Sequence, residues 1–307
     1  MQTKTAFLFS GQGSQSPGMG AELLQLCPAA GRVFEAAADI LGFDLKEACF
    51  TWEAEALAQT EISQPAILAV SLAAFEAVRG LGLTPAMGAG HSLGEYAAMT
   101  AAGMLTLEDA FRVIKARAAA MGRCAKSHPG AMCAVMADAD EIAAVCAGTE
   151  GLVLPVNYNS PVQTVIAGET AAVEQAMEVF AARGKRCIKL AVSAAFHTPL
   201  MQEAADEFQA AITSVPFAAP KFPLYSNVTG GPLADWSDMP GYLARHLVSP
   251  VRFTTELAAM REAGAERFVE CGPGKVLTGL VKKTLAGAAA FNVENQKSLE
   301  KLKESLL

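Results

Sequence analysis

The chain has 307 residues, 52% hydrophobic and 18% charged, a balance that favours a packed core and excludes disorder as the main state. At about 150 residues per domain there is room for two compact units, or for one large unit carrying an insertion. Lys plus Arg number 24 and Asp plus Glu 31, a formal charge of −7, which argues against general affinity for nucleic acid or anionic membrane.

From the N-terminus, Thr5–Phe9 is a short apolar run followed by the turn-forming Gly11-Gln12-Gly13-Ser14-Gln15, so a strand and a loop are expected. The apolar part of this start, Ala6 to Phe9, is too brief for a secretory h-region. Residues 66–79 are apolar on nearly every side, as in a helix buried inside an α/β layer. This longest apolar stretch, Ala66 to Val78, is broken by Ser71 and Glu76 and falls short of the ~18 to 20 residues needed to cross a bilayer. A soluble, cytoplasmic protein is therefore expected. The seven cysteines (Cys27, Cys49, Cys124, Cys133, Cys146, Cys187 and Cys271) show no C-x-x-C and no histidine at zinc spacing, so reduced core thiols and no metal site are expected.

Between residues 130 and 193 the pattern changes. Apolar runs at 131–137, 152–157, 163–167 and 187–192 alternate with helical runs at 139–147 and 171–183, in the order β-α-β-β-α-β. Asp138 with Glu141, Thr170 and Gly184 are the expected caps and stops. This order matches a ferredoxin-like unit. Residues 198–307 return to mixed α/β, with Arg267–Cys271 as a strand turned by Gly272-Pro273-Gly274. The expected fold is α/β. Residues 1–128 and 198–307 would form a large domain with a parallel sheet flanked by helices, interrupted by a small inserted domain over 129–197.

Gly90-His91-Ser92-Leu93-Gly94 fits a nucleophile elbow, in which small neighbours tolerate the strained backbone of a serine on a strand-to-helix turn. The Leu93 backbone N–H and the following helix dipole would then face an oxyanion formed at Ser92. The preceding Ala86-Met87-Gly88-Ala89, however, is a poor strand former. Four histidines are candidates for the base. His91 adjoins Ser92, where neighbouring side chains diverge; His128 reads as a solvated turn and His246 as a helix end. His197 sits where the small unit rejoins the large one, a favoured place for a cleft, although a buried structural histidine fits the sequence as well. Arg117 lies at the edge of the apolar face of a helix over 107–121, while Arg112 and Lys115 lie on its wet side. A guanidinium there calls for an anion, either a substrate carboxylate or a structural partner.

The ensemble resembles the malonyl-coenzyme A:acyl carrier protein transacylase family over nearly the whole chain. The resemblance is carried by Phe9-Ser-Gly-Gln-Gly-Ser-Gln15, Gln64-Pro65-Ala66, Gly90-His-Ser-Leu-Gly-Glu95, Arg117 with Met121, Asn159-Ser-Pro-Val-Gln163, Phe196-His197, Tyr225-Ser-Asn-Val228 and Gly272-Pro-Gly-Lys275. It implies a hydrolase-like large domain with a ferredoxin-like insert, and a two-step transfer of malonyl from coenzyme A through Ser92 to the thiol of acyl carrier protein, for fatty-acid synthesis. By the same resemblance His197 is the base, Arg117 clamps the malonyl carboxylate, and the backbone N–H groups of Gln12 and Leu93 form the oxyanion hole. Gln163 and Phe196 lie near the acyl group, and a main-chain carbonyl of Ser249-Pro-Val-Arg252 orients the histidine. Ser10 and Arg252 depart from residues frequent in the family. No cofactor is implied, and a monomer is expected. A trans-acting acyltransferase of polyketide synthesis and a serine thioesterase or esterase are the alternatives. Whichever carrier is used, its docking would need a basic patch: Arg183, Lys185, Arg186 and Lys189, or in competition Lys275, Lys282 and Lys283.

Overall fold

The computed structural model describes residues 3–306. Among the described residues, eight strands form two sheets of four. In the first, β1 (Thr5–Phe9), β2 (Met87–Gly90), β7 (Arg267–Cys271) and β8 (Ala289–Val293) run in the order β2-β1-β7-β8, every neighbouring pair parallel. β1 is buried along its whole length, as a central parallel strand covered on both faces must be. The protein is thus an α/β fold with a parallel sheet flanked by helices.

β2 forms although its sequence is a poor strand former. Its four residues, Met-Gly-Ala-Gly, are all buried and paired from Ala6↔Met87 to Phe9↔Gly90, so pairing with β1 outweighs local propensity. The small residues have a steric cause. A side chain on Gly90 would run into the backbone of Gly94 and Glu95, and one on Gly94 into the Phe9 carbonyl. The helix that starts at Gly94 can therefore approach the sheet only because neither residue has a Cβ.

Helix Thr60–Gly80 occupies the core, with fifteen consecutive-turn residues from Ser63 to Val78 buried. It is longer than the apolar stretch alone suggests because Thr60 to Gln64 add a polar first turn. Its length and mean hydropathy of 1.3 would suit a membrane span, yet 83% of its apolar window is buried inside the fold, which marks a core helix.

The second sheet comprises β3 (Ala131–Val135), β4 (Val153–Ser160), β5 (Gln163–Gly168) and β6 (Cys187–Lys189), in the order β4-β5-β3-β6 with antiparallel neighbours. Helices Ala139–Gly148 and Thr170–Ala182 separate β3 from β4 and β5 from β6. The Asp138 side chain caps the first helix through Glu141 N–H at 2.8 Å, and Gly184 takes the left-handed conformation (φ 70°) after the second. Thr170 is not a cap: it is the first helical residue, and Glu169 at the cap position makes no side-chain bond. β6 ends at Lys189 rather than extending to 192, because it is an edge strand paired with β3 alone. Val251, in the segment that follows helix Met239–Val248, bridges to β4 by bonds to Val156 and Tyr158.

The basic cluster expected to meet a carrier is partly paired, two carboxylates meeting three of its four cations. Lys185 and Arg183 reach Glu141 at 2.7 and 3.8 Å, and Lys189 reaches Glu174 at 2.7 Å. Among the described residues, Lys275, Lys282 and Lys283 are exposed and none makes a salt bridge. Periodicity could not reveal this difference, because the neutralising acids come from two separate helices.

Candidate active site

The parallel sheet sends two loops out of its carboxyl end side by side, residues 10–15 after β1 and residues 91–93 after β2. Open α/β sheets form their ligand crevices at such a place. The loops are tightly apposed: a Cβ on Gly11 would lie 2.6 Å from the His91 carbonyl oxygen. Ser92 stands at the turn with φ +53°, a left-handed conformation that costs a non-glycine residue about 1 to 3 kcal/mol unless its surroundings hold it. Helix Gly94–Ala101 begins two residues later.

His197 approaches from the segment after β6, also with positive φ (65°), and its Nε2 lies 2.8 Å from Ser92 Oγ. The other ring nitrogen, Nδ1, lies 3.0 Å from the Ser249 carbonyl and 3.1 Å from that of His246. Both acceptors are at the C-terminus of helix Met239–Val248, where the last carbonyls have no partner within the helix. They can only accept, so Nδ1 carries the hydrogen and Nε2 is the free base facing the serine. The negative end of the helix dipole would favour an imidazolium if Ser92 gave its proton to this ring, a task that a carboxylate performs in other triads. Burial, followed by the nearby Arg117 charge, pushes the resting imidazole down to about 3, so the base is neutral in the resting site.

Arg117 lies in helix Leu107–Ser127, capped by Thr106 through the Asp109 N–H. It is 1% exposed. Nη1 donates to Gln64 Oε1 at 2.8 Å, Nη2 to Ser92 Oγ at 3.2 Å, and the guanidinium carbon sits 5.2 Å from the Tyr96 ring centroid, in cation–π range. Nε has no partner, and no carboxylate among the described residues lies within salt-bridge distance. Desolvation accordingly lowers its pKa. A buried cation with spare donors beside a serine hydroxyl could receive a small carboxylate, which would restore the charge balance lost on burial.

Of the remaining expected residues, Leu93 and Phe196 adjoin Ser92 and His197 in the chain, whereas Gln163 and Arg252 bond elsewhere. Leu93 follows Ser92 in the chain and Gln12 follows Gly11, which abuts the His91 carbonyl; neither backbone N–H is bonded to another protein group among the described residues. Phe196, 8% exposed, packs in the main core next to His197. Gln163 does not touch Ser92: it accepts from Asn159 Nδ2 at 3.2 Å, and Asn159 Oδ1 lies 2.8 Å from His91 Nε2. His91 thus points away from the serine, as expected. Arg252 is equally remote, exposed and bonded to the Val228 carbonyl. Cys124, His128 and Glu203 bring potential metal ligands within 4.8 Å of one another, with His128 and Glu203 exposed. All seven cysteines are free.

Three polar residues named in the sequence, two of them only within the resemblance motifs, were given no role at the site. Gln64, fully buried in the apolar helix, orients Arg117. Asn227, also fully buried, accepts the Ser92 N–H at 2.7 Å. His246 was expected only to end a helix; it does so, but its ring is buried and its carbonyl accepts from His197. The available signal was a polar residue inside an otherwise apolar segment, which identifies burial but not the partner.

The model of the acyl transferase domain family matches residues 6–304. The malonyl CoA-acyl carrier protein transacylase of Bacillus subtilis is 39% identical over 303 residues, 97% of this chain and 96% of that protein. The crystal structure of the malonyl CoA-acyl carrier protein transacylase from Clostridium perfringens superposes with a TM-score of 0.94 at 36% identity, covering 99% of this chain and 97% of the other. A malonyl-transacylase solved in complex with a type II PKS acyl-carrier protein gives 0.94 at 36% identity, over 99% and 100% of the two chains. With a catalytic-type Ser–His pair at the carboxyl end of the sheet and these relatives along its whole length, the chain belongs to the acyl transferase family that includes the malonyl CoA-acyl carrier protein transacylases.

Proposed function

We propose that this acyltransferase carries a malonyl group from malonyl-coenzyme A to the phosphopantetheine thiol of acyl carrier protein, with Ser92 as the acylated nucleophile and His197 as its base. The observation that carries the reading is the unpaired, buried Arg117 guanidinium beside a serine hydroxyl that also meets His197 Nε2. In the first half-reaction Ser92 Oγ attacks the thioester carbonyl and its proton passes to Nε2. The C–S bond then breaks, the coenzyme A sulfur takes that proton, and a malonyl ester remains on Ser92. In the second, the carrier thiol gives its proton to Nε2 and attacks the ester, and Ser92 Oγ leaves and regains the proton. One base thus serves two thiols in turn. The Gln12 and Leu93 N–H groups receive the oxyanion in both halves, Arg117 holds the distal carboxylate, and Gln163 and Phe196 line the acyl side.

A serine thioesterase would use the same pair, but an acyl pocket built for a fatty chain has no use for a buried guanidinium. The polyketide variant keeps every step and changes only the carrier; its support is the relative solved with a type II PKS carrier protein. Residues 129–197 are read as a ferredoxin-like domain set into a hydrolase-like domain of residues 1–128 and 198–307, a reading supported by the β-α-β-β-α-β order and the strand order β4-β5-β3-β6.

Intact-mass and peptide mass spectrometry after mixing with malonyl-coenzyme A tests the reaction. One malonyl adduct is expected on Ser92, passing to holo-carrier protein on its addition and absent from Ser92→Ala. An adduct elsewhere, or release of free malonate in place of transfer, overturns the proposal.

A further inference from the structure

Beneath Ser92 lies a buried polar group that the two-step chemistry does not use. Asn227, fully buried, follows Leu224, which bridges to Gly88 beside β2. Its carboxamide is fully engaged. Oδ1 accepts from the Ser92 N–H at 2.7 Å and from His246 Nε2 at 3.1 Å, while Nδ2 donates to the Gly90 carbonyl at 2.6 Å and to Glu256 Oε1 at 2.7 Å. Two donors on the oxygen and two acceptors on the nitrogen fix the orientation of the amide, since a flip would set donor against donor. The main chain is held as well: Asn227 N–H donates to Glu95 Oε2 at 3.0 Å, and the Asn227 carbonyl accepts from the Arg252 N–H at 2.9 Å. Glu95 itself is held by the Tyr242 hydroxyl.

Three consequences follow. Gly90 C=O and Ser92 N–H flank His91, so one side chain grips the elbow on both sides, as a neighbouring strand would grip a β-strand, and opposes relaxation of the strained Ser92 φ. With its own N–H committed to Asn227, Ser92 cannot offer it to an oxyanion, which leaves the unbonded N–H groups of Leu93 and Gln12 for that role. His246, bonded to Asn227 through its ring, presents its carbonyl to His197 Nδ1. The same carboxamide therefore braces the nucleophile directly and the base through one intermediate.

We propose that Asn227 is the positioning residue of the acyl-transfer pair, setting the Ser92 backbone and, through His246, the carbonyl that orients His197. The proposal rests on the reading of Ser92 and His197 as nucleophile and base. It is tested by single-turnover acylation with malonyl-coenzyme A, comparing wild type, Asn227→Ala and the isosteric Asn227→Asp, which keeps shape but loses both Nδ2 donations when ionised. Ligand affinity is measured in parallel with coenzyme A, and folding by circular dichroism. The maximal acylation rate should fall about 100-fold, the scale of a misplacement near 1 Å, with the half-saturating malonyl-coenzyme A concentration within about threefold of wild type, because the Arg117–Gln64 contact is untouched. A folded variant with the wild-type maximal rate overturns the positioning role, as does one that loses rate and affinity in equal proportion. If Asn227→Ala does not fold, Asn227→Asp decides by the same criteria. Ser92→Ala is the control: persistence of its malonyl adduct would remove the underlying reading and not the Asn227 proposal alone.

Discussion

The Arg117 guanidinium stands 3.2 Å from the Ser92 hydroxyl, close enough to bond it before any substrate arrives. This separation restricts the acyl group. A carboxylate bound by Arg117 while its thioester carbonyl meets Ser92 Oγ must lie only a short distance from that carbonyl, as the two ends of malonyl do. Gln64 holds the other terminal nitrogen of the guanidinium at 2.8 Å, which fixes the clamp's position relative to Ser92.

Arg117→Ala should therefore cost malonyl transfer about 3 to 5 kcal/mol, the scale for removing one member of a desolvated charge pair. Neutral acyl groups such as acetyl should gain relative to malonyl, since the bare cation disfavours them in the wild type. Competition between malonyl- and acetyl-coenzyme A, read as a ratio of kcat/KM values, checks this; an unchanged ratio contradicts the clamp.

The pH profile follows from His197. As the proposed base His197 would work as neutral imidazole, and burial moves its pKa from 6.5 to about 3, so that form persists as pH falls through the ordinary histidine range. The acylation kcat/KM, which reports the free enzyme, should stay flat from about pH 8 to about pH 5. A decline centred near the ordinary histidine value of about 6.5 would show a solvated ring. The same depression has a stability cost in acid: below about pH 6.5 the unfolded chain takes up a proton that the folded site refuses until about pH 3, so stability falls across that window. His91 and His246, also lowered by burial, act with the same sign. Glu95, raised by burial to about 7, acts with the opposite sign above the ordinary glutamate range.

Phe196 is buried and immediately precedes His197 in the chain, and on the acyl-side reading proposed for it a bulky ring would crowd an α-methyl group. Phe196→Ser should raise methylmalonyl use relative to malonyl by up to about 1 to 3 kcal/mol, the range for a methyl-sized difference in an apolar pocket. The ratio of the two kcat/KM values is the measurement, and no change in it would assign Phe196 to core packing alone.

Charge reversal separates the two basic clusters. Lys282→Glu with Lys283→Glu should raise the apparent Michaelis constant for carrier protein, most strongly at low salt, and leave self-malonylation from coenzyme A intact, because steering acts on association. Lys185→Glu should leave the carrier constant near wild type, since Lys185 already faces Glu141 at 2.7 Å. The reverse pattern would place docking on the small sheet's helices.

What the sequence determined by itself lies within short windows. β1, the core helix ending at Gly80, the β-α-β-β-α-β order and the elbow glycines were legible because burial periodicity, caps and steric demand act over a few residues. That Arg117 lies on the apolar side of its helix was legible for the same reason, since 100° per residue places it without reference to the rest of the chain, but it is fully buried within that face and not at its edge. What occupies its donors was not: Gln64 lies 53 residues away, and no acid meets it among the described residues. The tertiary structure alone decided that His197 meets Ser92, 105 residues apart in sequence, while His246, equally buried, lends its carbonyl to the base and its ring to Asn227. It also made a strand of Met87–Gly90, whose composition opposes one, and cancelled the charge of Lys185 and Lys189 with acids on two helices. The reason is common to all of these. A hydrogen bond or ion pair is directional and short-ranged, so its partner depends on where the folded chain returns, whereas the apolar face of a helix or strand depends only on the residues within it.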